Sequence, residues 1–271
     1  IAAATASTHI IVDADLGQDI QCEVTANSPC GASPLSVLSN TVVPIAPFGG
    51  NFTWWADINF ANTSESGGID YIDSVPLIGI SDQLEQPTAA NRPKYIASGL
   101  DGNAVMRADT SNMKVYKGID ASVFDGGIGT FAFVGKLNSG FTLFTEATEA
   151  ATVYNFQIYY FGGALRVYAD GDGAQIVDAA FTLGQFDLHH FTLDATALKY
   201  YKNGVLTGTI TITCNQDTSR PLTSFNYKSI NAEQGYGEIA DIVVLTGTAL
   251  DATAIGNDYT NFWKVKYPSL P

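Results

Sequence analysis

Residues Tyr236–Leu245 read YGEIADIVVL, an apolar run that carries two carboxylates, Glu238 and Asp241. A run of this length and character is expected to form a strand. Side chains of a regular strand alternate faces. Ile239, Asp241 and Val243 would then share one face, and Glu238, Ala240, Ile242 and Val244 the other. The second set is the more apolar, so it is expected to meet the core, with Glu238 at its rim and Asp241 on the wetter side. Sugar-cleaving chemistry needs two carboxyls about 5–5.5 Å or about 6.5–9.5 Å apart, converging on one bond. An i, i+3 pair in a regular strand diverges, and Asp70 and Asp73 in GIDYIDS have the same spacing. The stretch therefore reads as a scaffold strand, with no catalytic residue in it.

The pattern continues on both sides. Downstream, Asp251 is a plausible helix N-cap, and Ile255, Tyr259, Phe262 and Trp263 form one apolar stripe of a single closing helix. Upstream, Asn203-Gly204 between Tyr201 and Val205 is a strong hairpin signal, because type I′ turns need positive φ at both central residues. Gly162-Gly163 and Asp170-Gly171-Asp172-Gly173 mark two more hairpins. Phe52–Asn59, residues 102–116, 130–137, 140–145 and 190–193 read as further strands. Many short strands at regular spacing with one helix predict an all-β antiparallel sandwich.

Residues 1–46 also read as short strands. Ile20, Cys22 and Val24 alternate with Gln21, Glu23 and Thr25, and Ala46-Pro47-Phe48-Gly49-Gly50 looks like a linker. Two domains are expected, 1–46 and 47–271. Composition agrees with strands and turns: 46% hydrophobic, 15% charged, 11% aromatic, with 26 glycines. The formal net charge of −14 disfavours a nucleic-acid partner, and no run of about 18 apolar residues suggests a membrane span. The start, IAAATAST, lacks Met and a basic n-region, so it reads as a processed chain or a fragment. Cys22, Cys30 and Cys214 fit no zinc pattern; a Cys22–Cys30 bridge and three free thiols remain equal alternatives.

Two resemblances add to this. Asp15-Leu16-Gly17, Ile20–Asn27 (IQCEVTAN) and Ser39-Asn40-Thr41-Val42 resemble the second half of a bacterial immunoglobulin-like domain. Such a domain needs about 100 residues and seven strands, so the resemblance implies a partial β-sandwich. Residues 48–271 resemble a concanavalin A-like jelly roll of the laminin-G-like type. The matching pieces are Gln86–Tyr95 (QPTAANRPKY), Leu100–Arg107 (LDGNAVMR), Tyr200–Gly208 (YYKNGVLTG) and Gly237–Leu245 with Ala249-Leu250-Asp251 and the helix to Tyr267. Ala108 and the Ser74–Gln83 segment depart from that pattern. The two resemblances together imply an all-β jelly-roll sandwich with one C-terminal helix behind a partial Ig-like domain.

The resemblance implies binding or display before chemistry. Sugars stack on exposed aromatic rings and bond to amides, which nominates Trp54, Tyr160, Tyr201 and Asn203 as carbohydrate-binding residues. Asp170 and Asp172 would suit calcium, the one cofactor considered, although a plain β-turn is the preferred reading of that tetrapeptide. Adjacent His189 and His190 should face opposite ways, one exposed and one packed. The pairing of modules resembles bacteriophage virion appendages. The expectation is a non-enzymatic virion-surface or extracellular protein, oligomeric or part of a larger assembly, whose partners are virion proteins or a cell-surface glycan. A secreted bacterial adhesin or carbohydrate-binding module is the alternative, and a glycoside hydrolase the third.

Overall fold

The computed structural model describes residues 23–26, 35–38, 46–109, 115–116, 127–140, 142–147, 154–169, 173–194, 197–212, 222–224 and 235–271. The three cysteines and the Asp170/Asp172 calcium candidates lie outside them. The chain divides into two compact units, Ile1–Gly50 and Asn51–Pro271. In the first, β1 (Glu23–Ala26) pairs antiparallel with β2 (Leu35–Leu38). Most of the Ig-like motif falls outside the described residues.

The second unit is built from β3 (Trp54–Asp57), β4 (Asn62–Ser66), β5 (Ile69–Pro76), β6 (Gln83–Glu85), β7 (Lys94–Leu100), β8 (Asn103–Ala108), β9 (Val115–Tyr116), β10 (Ile128–Gly140), β11 (Thr142–Ala147), β12 (Tyr154–Phe161), β13 (Ala164–Ala169), β14 (Gly173–Asp178), β15 (Asp187–Asp194), β16 (Ala197–Lys202), β17 (Val205–Thr211), β18 (Leu222–Ser224) and β19 (Gly235–Thr246). They form two antiparallel layers. One runs β17-β16-β15-β10-β19 and continues through β3 and β8 to β7; the other runs β14-β13-β12-β11-β18-β9-β6. β5 pairs with both β6 and β7, so it belongs to both layers, with β4 outside it. This is an all-β jelly-roll sandwich closed by a C-terminal helical segment.

Apolar alternation fills the space between the layers. Phe131 and Phe133 of β10 meet Phe144 of β11 at ring distances of 4.9 and 4.6 Å, and Phe156 of β12 meets Phe191 of β15 at 6.3 Å. At the side away from β5, β14 and β17 lie alongside each other. Gln175 Nε2 donates to the Thr211 carbonyl there, at 3.0 Å. A Cβ on Gly208 would stand 2.2 Å from the Val177 carbonyl oxygen, so only glycine lets β17 approach this closely. The Asn203-Gly204 turn adopts φ of 50° and 79°, as type I′ requires. Its Gly204 packs against Tyr259 of the helical segment.

Asp251 caps helix α1 (Ala252–Asp258), its side chain accepting from Ala254 N at 2.8 Å. A π-helical turn, Tyr259–Trp263, and α2 (Lys264–Lys266) follow without a break in handedness. Ile255, Phe262 and Trp263 of the expected stripe are buried, and Tyr259 is half-buried.

β19 departs from the regular alternation expected for it. Val134 pairs with Asp241, but the next residue, Gly135, pairs with Ile239, leaving Ala240 as a bulge. At the same point the neighbour on the other edge changes from β8, paired through Ile239, to β3, paired from Asp241. The bulge reverses the phase of the strand. Ile239, Ile242 and Val244 all enter the core, and Glu238, Asp241 and Val243 share the outer face. The expectation that Glu238 and Asp241 point apart is therefore corrected: one extra residue puts both on one side.

His189 and His190 do face opposite ways, but both are buried, so the expected exposed member is absent. His189 stacks on Phe133 at 4.6 Å in the core, and its Nδ1 lies 2.9 Å from the Tyr200 hydroxyl. His190 lies under the helical segment, 3.2 Å from Asp258, which also receives the Trp263 indole N–H. Burial, and then the Lys202 charge, lowers the pKa of His189 from 6.5 to about 3. The folded state thus holds a neutral imidazole that the unfolded chain would protonate. Its stabilising contribution is complete above pH 6.5 and is lost as the pH falls toward 3, by about 1.4 kcal/mol per pH unit. Urea unfolding of the wild type and of His189→Gln between pH 7 and pH 4 should show a shallower acid decline in the variant. Equal slopes would refute this account.

Candidate functional site

The structure commits all four nominated sugar-binding residues elsewhere. Trp54 is 0% exposed and packs in the core beside Ala56, because β3 turns Trp54 inward and Trp55 outward. Tyr201 is 2% exposed; it sits opposite His190 in the ladder, on the face away from the core ring Tyr200. The Asn203 side chain is committed to its own neighbourhood. Its Nδ2 donates to Asp187 Oδ1 at 2.7 Å, and its Oδ1 accepts from Leu188 N at 2.8 Å. It fixes the turn and offers no free amide pair to a ligand. Tyr160 is half-buried and directed inward, its ring 5.9 Å from Phe181.

The flanking residues of Tyr160 face the other way. Phe156 and Ile158 lie in the core, so Tyr159 and Phe161 fall on the outer face of the second layer. On β13, Leu165 and Val167 are core residues, and Arg166 and Tyr168 are turned outward. The register sets Tyr159 beside Arg166 and Gln157 beside Tyr168. Phe161 is 50% exposed, and the Arg166 guanidinium lies 5.6 Å from its ring centre. Arg166 Nε donates to the Phe161 carbonyl at 3.3 Å, which holds the cation over the strand. Ile176 of β14 is exposed beside it. Exposed Phe161 and half-buried Tyr159 and Tyr168 thus share an outer face with Arg166, and each of the three aromatic residues also has a further partner within the chain. Strand phase was the signal that could have located this face: Gln157 marks the polar side of β12, and Tyr159 and Phe161 share its parity.

The outer face of the first layer is closed where the helical segment lies on it. Asp241 is fully buried and accepts from Trp55 Nε1 at 2.7 Å, from the Tyr267 hydroxyl, and from Lys266 Nζ at 3.0 Å. Lys266 Nζ also donates to Asp57 Oδ2 at 2.7 Å. Asp57 Oδ1 is held by Asn59 through its backbone N–H at 2.9 Å and its side-chain amide at 2.8 Å. Burial pushes the Asp241 carboxyl up to about 7, Lys266 opposes the rise and the Asp57 charge adds to it. Burial pulls the Lys266 ammonium down, but Asp241 and Asp57 together outweigh it, and the net direction is up.

Glu238, on the same face, is bound by Arg107 through Nε and Nη2, both at 3.0 Å, and by Lys136 Nζ at 3.0 Å. Asp73 is paired with Arg92 and accepts from Ser64 Oγ at 2.7 Å. Among the described residues, no group of three or more His, Cys, Asp or Glu side chains is arranged to hold a metal ion. Also among them, no helix is long and apolar enough to cross a membrane.

No family model matches this chain, and no curated protein matches it. Solved structures do resemble it. The receptor-binding domain of botulinum neurotoxin type G superposes with a TM-score of 0.53 at 11% identity over 78% of this chain and 51% of that one. A Trypanosoma rangeli sialidase in complex with the inhibitor DANA gives 0.55 at 11% identity over 91% of this chain and 36% of that one. Domain 4 of an extracellular arabinanase of Geobacillus stearothermophilus, in complex with arabinotriose, gives 0.50 at 14% identity over 77% of this chain and 98% of that domain. The chain thus spans about half the neurotoxin structure and about a third of the sialidase. At these identities the likeness is one of fold: an all-β sandwich.

The closed site has a direct energetic consequence. Lys266→Met would leave Asp57 and Asp241 facing each other in a dry site without their cation. A loss of about 3–5 kcal/mol is expected. The loss should be larger at pH 8 than at pH 5, where Asp241 can take up a proton. Urea titrations at the two pH values check both statements.

Proposed function

We propose that this chain is a non-catalytic glycan-attachment module displayed on an extracellular or virion surface. The observation that carries the reading is the exposed ring of Phe161 with the Arg166 guanidinium against it, flanked by half-buried Tyr159 and Tyr168 on the outer face of the second layer. It offers ring faces for stacking and a cation for hydrogen bonding, on a rigid ladder rather than a loop. Support comes from the fold shared with a domain solved holding arabinotriose, almost all of which this chain covers. An Ig-like first unit followed by a lectin-like sandwich suits an appendage, fibre or decoration protein. The same reading would serve a secreted adhesin or a carbohydrate-binding module of a larger enzyme.

A glycan array probed with and without calcium should give binding, and Tyr159→Ala or Tyr168→Ala should weaken it about tenfold or more. Binding that survives both substitutions would remove this face from the proposal. An array without a single ligand in either condition would remove the function.

One observation favours hydrolysis as a second reading: the Ala240 bulge places Glu238 and Asp241 on one face. Weighing against it, Asp241 is sealed beneath Lys266 and Tyr267, and Glu238 is engaged by two cations. We expect polysaccharide incubated with the wild type to be no more degraded than with Glu238→Gln. A rate that falls in the variant would reverse the order of the two readings.

A further inference from the structure

We propose that the folded chain cross-links itself, forming an amide between Lys266 Nζ and the side-chain carboxyl of Asp241, with Asp57 as the base. The two reacting groups are already in contact. Lys266 Nζ lies 3.0 Å from Asp241 Oδ1 and 2.9 Å from Oδ2, a two-pronged contact that holds the amine and the carboxyl group together. The indole of Trp55 lies 4.7 Å and the ring of Tyr267 5.4 Å from the same nitrogen, which walls the site with apolar surface. Holding nucleophile and electrophile together in this way supplies much of what a condensation lacks in water.

The other partners divide the labour. Trp55 Nε1 and the Tyr267 hydroxyl donate to the two oxygens of Asp241, one each. They are placed to stabilise the negative charge that gathers on oxygen when nitrogen adds to the carboxyl carbon. Asp57 has its Oδ1 occupied by Asn59 and turns Oδ2 to the ammonium at 2.7 Å. That oxygen is the acceptor for the proton that Nζ must lose before it can attack. The ammonium is held charged by its two carboxylates, so this transfer, within an existing hydrogen bond, is the step that opens the reaction. Asp241, pushed up to about 7 by burial, is available as the acid near neutral pH.

The balance is complete without a co-reactant. The ammonium gives one proton to the Asp57 carboxylate, and its lone pair forms the Nζ–Cγ bond to protonated Asp241. The Cγ–Oδ bond then breaks, and that oxygen leaves as water with its own proton and the second proton from nitrogen. The products are a secondary amide, water and protonated Asp57. A buried ion pair is replaced by a neutral group, which removes the desolvation penalty that the pair carries. The bond would join the end of the helical segment to β19, across 25 residues of sequence.

Mass spectrometry of the chain incubated at pH 6–7 decides the matter. The expected intact mass is lower than that of the sequence by one water. Proteolysis should release a branched peptide that joins the segment carrying Asp241 to the one carrying Lys266. Asp241→Asn should form the same bond with loss of ammonia instead of water, and Lys266→Met should show its full mass. A wild-type chain that keeps its full sequence mass, with Lys266 in a linear peptide, overturns the proposal whether or not any variant folds. A branch on Asp57 overturns the assignment of roles.

Discussion

A carboxyl group in a dry interior must be answered by donors, and on the central strand of this sandwich that demand falls on Asp241. Two elements meet it. β3 supplies the Trp55 indole, and the end of the helical segment supplies Lys266, which also donates to Asp57 of β3, and Tyr267. The helix is therefore docked by polar as well as apolar contacts. The stripe of Ile255, Phe262 and Trp263 gives it a buried face, and Asp241 gives it one position along that face. Buried polar groups of this kind often cost stability relative to a well-packed apolar core, and removing one partner costs more than the pair contributes.

Much of the fold was legible because it rests on local rules. The Asn203-Gly204 turn, the Asp251 cap and the single closing helix follow from backbone geometry that few residues can satisfy. The Ala240 bulge was not legible. GEIADI reads equally well as a regular strand, and what breaks it is the exchange of β8 for β3 along one edge, a tertiary event. A single inserted residue inverts the assignment of every side chain upstream of it. That is why Glu238, expected on the core side, stands outside with Arg107 and Lys136.

The aromatic nominations failed for a related reason. Adjacent pairs such as Trp54-Trp55 and Tyr200-Tyr201 guarantee that two faces are served, without saying which face is wet. Where the first layer carries these pairs, both faces are covered, one by the opposing layer and one by the helical segment. Both members of each pair are accordingly buried. The same holds for His189 and His190. In the second layer the outward residues of β12 are half-buried Tyr159 and exposed Phe161 rather than Tyr160. Site prediction in a sandwich thus needs the position of the capping helix as well as the strand phase.

The double membership of β5 gives the molecule a mechanical asymmetry. The two layers behave like the boards of a bound book. Along β5 they are stitched by backbone ladder bonds to β6 on one side and β7 on the other. At the fore-edge, β14 and β17 are joined by the Gln175 side chain and by the close fit of Gly208 under the Val177 carbonyl. Side-chain ties and contact yield before a backbone ladder does, so the sandwich is built to part its leaves at β14 and β17. The β12–β13 outer face belongs to the board that ends there. A load applied through a ligand on that face would be felt first at the fore-edge, and the spine would be the last part to give.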